Sequence, residues 1–237
     1  MAGLSDLFRY KKSVSINNPK TGKEETKVWI RLLGDEDIKE TYRISRIASA
    51  AKRASLRDEE SLDYKESIAQ LQELSQTDLK ELIVAEAENR FITEAPVLVD
   101  RENLPEIEEI AAEPDAPTLE EQEKFDKKVE TQDEVFLKAL SGYVDTKKAE
   151  LRVELDALSE EEIFSRGKKT MENIQPLQVF AEELNNQRGF RATYIDKNCK
   201  IRGFTDIDDF KNADSSLKQQ IIDAYEALDL STDDIKE

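Results

Sequence analysis

The sequence predicts a mainly α-helical α+β protein: two helical regions, each with a small β-hairpin, joined by a proline-containing acidic linker. Three observations carry that prediction. Apolar residues recur at helical spacing over most of the chain. Two β-branched and aromatic runs, near residues 10–33 and 190–205, are each interrupted by turn formers. Four of the six prolines fall in "EAPVLVDRENLPEIEEIAAEPDAPT", residues 94–118, a composition that holds no long helix. The expected organisation is a basic-headed hairpin plus helices over 1–93, the linker over 94–118, and a helical domain with a second hairpin and a C-terminal helix over 119–237.

Taken in order, "YKKSVSI" and "ETKVWIRLL" are strand-prone runs joined by "NNPKTGKE", and Trp29 is the expected anchor of the hairpin's buried face. "GDEDIKETYRISRIASAAKRASLRD" follows, acidic at its start and basic at its end, as the helix dipole favours. Its apolar stripe is Ile44, Ile47, Ala48 and Ala51. Two more helices are expected between about 61 and 93, with Ile68, Leu71 and Leu74 on one stripe and Leu79, Leu82 and Ile83 on the next; Ser75 or Thr77 caps the second. After the linker, Thr118 and Glu121 form a capping box for a long helix to about 157. Its seam of Phe125, Val129, Phe136, Leu140, Val144, Leu151, Leu155 and Leu158 suits an internal core or a coiled-coil surface, and Gly142 is a candidate kink. Ser159 with Glu162 opens another helix; Leu177, Phe180, Ala181 and Leu184 mark one beyond Pro176.

Composition limits the chemistry. There is no histidine, so the side chain that titrates near neutrality and most often binds transition metals is missing. The single cysteine, Cys199, excludes an intrachain disulfide and a thiolate zinc cluster, and fits a reducing compartment. Seven glycines in 237 residues leave few places for a phosphate-cradling loop. No apolar run reaches membrane-helix length and the first residues lack a signal-peptide core, so a soluble, cytoplasmic protein is expected. There is no G-x-S-x-G elbow, P-loop or zinc spacing. Carboxylate pairs such as Glu108 with Glu109 arise from composition alone. A non-enzymatic protein without a cofactor is the expectation.

Two stretches invite a functional reading. In "YIDKNCKIRGFTDIDDF", residues 194–210, Asp196 and Asn198 imitate the start of a calcium loop. Lys200 then stands where an oxygen ligand is required, Ile201 where glycine is required and Ile207 where the bidentate glutamate belongs. A hairpin about "DKN" is expected there. The other stretch is the head: residues 1–57 hold 13 Lys and Arg against 7 Asp and Glu, whereas the remainder holds 22 against 46, within a net charge of −18. Arg43, Arg46 and Arg53 of the first helix are the candidate contacts. A polyanion would be repelled by the rest of the chain, so an acidic protein surface, including its own body, fits the head better. Leu217, Ile221, Tyr225 and Leu228 form a stripe on the last helix, suited to core packing or to a partner in helix-in-groove fashion, and "LSTDD" is expected to end that helix.

The segments "ETKVWIRLLGDEDIKETYRISR" and "FAEELNNQRGFRATYIDKNCKIRGFTDIDDFKNADSSLKQQIIDAYEALDL", about a third of the chain, resemble tailed-phage tail assembly chaperones. The resemblance implies a small, helical, non-enzymatic protein of the host cytoplasm. The resemblance also implies binding of an aggregation-prone tail component, typically the tape measure, and supplies no catalytic residue to expect here. A second class of function is an acidic DNA mimic that blocks a DNA-binding enzyme, which the acidic body favours and the basic head disfavours.

Overall fold

The computed structural model describes residues 11–17, 24–99 and 119–233. The first hairpin's turn and most of the proline-rich linker lie outside them, as does Thr118 of the expected capping box.

The elements are β1 (Lys11–Asn17), β2 (Glu24–Arg31), α1 (Asp35–Ser55), α2 (Leu62–Glu73), α3 (Gln76–Leu98), α4 (Leu119–Asp156), α5 (Glu160–Ala192), β3 (Thr193–Tyr194), α6 (Ile207–Lys211) and α7 (Ser215–Asp233). The protein is therefore mostly helical, with one small antiparallel sheet in the order β1-β2-β3. The expected hairpin about "DKN" forms in minimal form: the Ile195 N–H donates to the Ile201 carbonyl at 3.1 Å and the Gly203 N–H to the Thr193 carbonyl at 2.9 Å. "FRA" continues α5, only Thr193 and Tyr194 form a strand, and Tyr194 makes a single bridge to Arg202. The strand pairs with the N-terminal hairpin, Trp29 opposite Tyr194 and Ile30 opposite Thr193.

The chain also divides differently from the expected 1–93 and 119–237. One unit combines residues 1–58 with 175–237, and the other is 59–174. The proline-rich segment thus falls inside the second unit's span, and the closing boundary falls inside α5, next to Pro176.

In the first unit, β1 and β2 run in continuous register from Lys11↔Arg31 to Ile16↔Thr26, with an irregularity at Ile16/Asn17. Alternation along the strands puts Val14, Ile16, Val28 and Ile30 on one face. That face packs on Ile221, Tyr225 and Leu228 of α7 and on Phe210 of α6. Trp29, between Val28 and Ile30, points to the opposite face and is only half-buried, so it does not anchor the core. Four aliphatic side chains on one strand face outweigh a single indole on the other. Gly189 of α5 sits where an added Cβ would lie 2.2 Å from the ring of Phe210, and Phe210 is itself 1% exposed.

The second unit is a helical assembly. Leu71 of α2, Leu79, Ile83 and Val84 of α3, Leu155 of α4 and Ile163 of α5 form its main core, and Ala87, Phe91, Ala95 and Val144 form a second layer. Lys80–Asp156 at 2.6 Å, Arg152–Glu81 at 2.9 Å and Lys148–Glu88 at 2.7 Å ladder α3 against α4 in antiparallel order. The seam of α4 is internal core from Leu140 onward, and Gly142 does not break the helix. The expected caps form: Ser75 with Asp78, and Ser159 with Glu162, each exchange side-chain and backbone hydrogen bonds. α3 runs on through Pro96 and α5 through Pro176.

Charge follows the division. The first unit holds 21 Lys and Arg against 21 Asp and Glu, while the second holds 14 against 32, so the whole net charge of −18 belongs to the second.

Candidate functional site

The stretch 194–210 is a loop held by its own acids. The Asp196 carboxylate accepts backbone N–H groups from Asn198 at 3.1 Å, Lys200 at 2.8 Å and Ile201 at 2.7 Å. Those bonds, Ile201 foremost, hold its pKa below the ordinary aspartate value. Asp206 caps α6 through the Asp209 N–H at 2.9 Å, and Asp209 accepts from the Thr205 N–H at 3.0 Å. The density of acids there is turn and cap chemistry. Among the described residues no group of three or more metal-ligating side chains converges. Cys199 is buried in this loop with φ 54°, and burial raises its thiol pKa.

The stripe on α7 is part of the first unit's core. Ile221, Tyr225 and Leu228 are buried and Leu217 packs against them, so in this fold the face offered to a partner is occupied by the sheet. The helix begins where the Asp214 carboxylate accepts the Ser216 N–H at 2.9 Å. It runs to Asp233, within the stretch "LSTDD" expected to end it, and the short successor expected beyond lies outside the described residues.

The head is where the structure departs most from the stripe read in the sequence. The buried residues of α1 are Thr41 and Ser45, with Ile44 and Ala48 half-buried beside them. Ile47 and Ala51 are exposed. The helix is thus turned so that a small, partly polar stripe faces inward. Ser45 makes this tolerable by donating its hydroxyl to the Thr41 carbonyl at 2.9 Å, although the Thr41 hydroxyl has no partner. The Asp37–Arg191 ion pair at 3.2 Å ties this inner side to α5.

That rotation leaves three large apolar side chains exposed, Ile38 and Tyr42 one turn apart at one edge of the outer face and Ile47 at its other edge. Ile38 is 38% exposed, Tyr42 37% and Ile47 57%. With Lys39, Arg43, Arg46 and Ala50 they line an open groove of about 490 Å³. Tyr42 keeps one ring contact, with Phe180 of α5 at 6.1 Å. Arg43 is held bidentately by Glu40 at 2.7 Å in both contacts, and this bond lowers the Glu40 pKa and raises that of Arg43. Lys39 and Arg46 carry no ion pair among the described residues. Arg53 is exposed and returns to the same side of the helix three turns after Tyr42. The three predicted arginines are therefore gathered on one face, and the sequence reading missed that apolar side chains share it. The signal was present as Ile38 and Tyr42, four residues apart, beside the arginines.

Arg31, another basic residue of the head, has a structural duty. Arg31 donates to the Tyr194 hydroxyl at 2.8 Å, and the Arg31 and Arg202 guanidiniums lie 4.8 and 4.9 Å from the Tyr194 ring. Arg202 also donates to the Arg191 carbonyl. No described helix is long and apolar enough to cross a membrane. Comparison with protein-family models, with curated proteins and with solved structures finds no match to this chain.

Proposed function

We propose that this chain is a non-enzymatic protein-binding factor, an assembly chaperone that masks an aggregation-prone structural protein, with the outer face of α1 as its docking surface. One observation carries the reading: α1 packs Thr41 and Ser45 inward while Ile38, Tyr42 and Ile47 face out among arginines and a lysine. Exposing three large apolar side chains on one helix costs solvation that burial against a client returns. The basic side chains select a client helix with apolar anchors and an acidic flank. The segment 25–46, which resembles tail assembly chaperones, contains most of this face, so the expected client is a phage tail component, the tape measure first.

The test is co-purification of the protein from its native expression context, with washes at low and high salt and identification of what is retained. A stoichiometric structural polypeptide held at high salt by the wild type, and lost by Ile47→Asp, supports the reading. Equal capture by Ile47→Asp places the docking surface elsewhere.

A second reading, an acidic DNA mimic, draws on the confinement of the net −18 to residues 59–174. Under it, DNA-binding enzymes are captured at low salt and released at high salt, and Ile47→Asp changes nothing.

A further inference from the structure

The outer face of α1 has a counterpart on the N-terminal half of α4. There Phe125, Val129 and Leu137 lie along one side with Asp126, Glu130 and Glu134 among them, lining an open groove of about 460 Å³. Leu137 is 62% exposed, and Phe125 and Val129 are half-buried. Among the described residues none of the three belongs to a core cluster, and the core positions of α4 begin at Leu140.

The two faces match in length and oppose in charge. Ile38 to Ala50 and Phe125 to Leu137 each advance about 18 Å along a helix at about 1.5 Å per residue. Ile38 and Tyr42 on α1, and Phe125 and Val129 on α4, are each one turn apart, a pair that packed helices can interdigitate, while Asp133 takes the turn between Val129 and Leu137. Lys39, Arg43 and Arg46 edge the first, and Asp126, Glu130 and Glu134 edge the second. Lys127 and Lys138 stand to one side of the acidic row, so the attraction is directional: it favours the register that keeps them away from the arginines.

We propose that the α1 face of one copy of this chain docks on the acidic, apolar face of α4 of a second copy. The contact joins two different faces, one from each copy. One helix pair is a small interface, so association in the micromolar range is expected. The proposal shares the α1 face with the client-binding reading but also needs α4, which makes the two separable.

The experiment is sedimentation velocity on the full chain from about 1 μM to about 100 μM, at low and high salt, a range that brackets a contact of this size. Three proteins are compared: wild type, Lys39→Glu/Arg46→Glu, and Glu130→Arg/Glu134→Arg, with circular dichroism to show that each is folded. The wild type is expected to associate with rising concentration, more weakly in high salt, and each variant alone is expected to stay monomeric. Mixing the two variants restores association, because one supplies an intact α4 face and the other an intact α1 face. A wild type that is monomeric throughout overturns the proposal, as does association that both variants retain. Glu130→Arg/Glu134→Arg keeps α1 intact, so its capture of a client reads the functional proposal independently.

Discussion

At the scale of single residues, this fold depends on one close approach and one carboxylate. Gly189 is required by space: its φ is ordinary, but a methyl group there would overlap the buried Phe210 ring. Gly189→Ala is expected to destabilise the first unit by about 1–3 kcal/mol or more, read from the denaturant midpoint. Combining it with Phe210→Leu should recover part of the loss, because the clash is with that ring. Asp196 gives a pH signature. Its pKa is lowered in the fold, so its contribution is complete above the unfolded value near about 4 and is lost as pH falls through the lower folded value. Amide exchange at Lys200 and Ile201 should therefore quicken in acid, relative to the intrinsic rate, in the wild type. Asp196→Asn should flatten that dependence. Neither effect was fully legible in the sequence. That the acids of 194–210 were not a calcium loop followed from Lys200 and Ile207, whereas Phe210 against Gly189 is a contact between distant chain positions that no local pattern reports.

At the scale of elements, the helices were legible where their stripes are large and their caps explicit. Ser75 with Asp78 and Ser159 with Glu162 begin helices where the sequence placed them, and Leu71, Leu79, Ile83 and Leu155 are core as their spacing implied. Leu155→Ala should cost the second unit about 2–5 kcal/mol, measured by chemical denaturation, since its side chain is completely enclosed. The α1 stripe failed for a physical reason. Hydrophobic periodicity locates a buried face by counting apolar side chains, and α1 buries Thr41 and Ser45 while leaving Ile38, Tyr42 and Ile47 outside. A helix whose largest apolar side chains are presented outward breaks the rule in the way a docking surface does. Thr193 and Tyr194 lie in a run expected to be strand, but their pairing with β2 was not legible, because it bridges more than 160 positions.

At the scale of the whole molecule, the sequence showed an asymmetry of charge but misplaced its boundary. A cut at residue 57 gives a basic head and an acidic body, yet the folded units are discontinuous, with 175–237 joining 1–58. The returning segment brings the surplus acids that neutralise the first unit, leaving all −18 on the second. Composition read along the chain cannot see such a return, because it depends on α7 covering the sheet. Within the neutral unit, the cluster of Lys39, Arg43 and Arg46 between Ile38 and Tyr42 on one edge and Ile47 on the other is then a local feature of one face, and the function proposed rests on that face being open. The most direct measurement is the alkylation rate of single introduced thiols on α1 in the dilute folded protein, with the buried Cys199 as internal reference. The account predicts that Ile47→Cys reacts quickly, while Ser45→Cys and Cys199 react slowly until the protein unfolds. Faster reaction at 45 than at 47 would mean that α1 is turned the other way, with Ile47 inside, and would contradict the docking face.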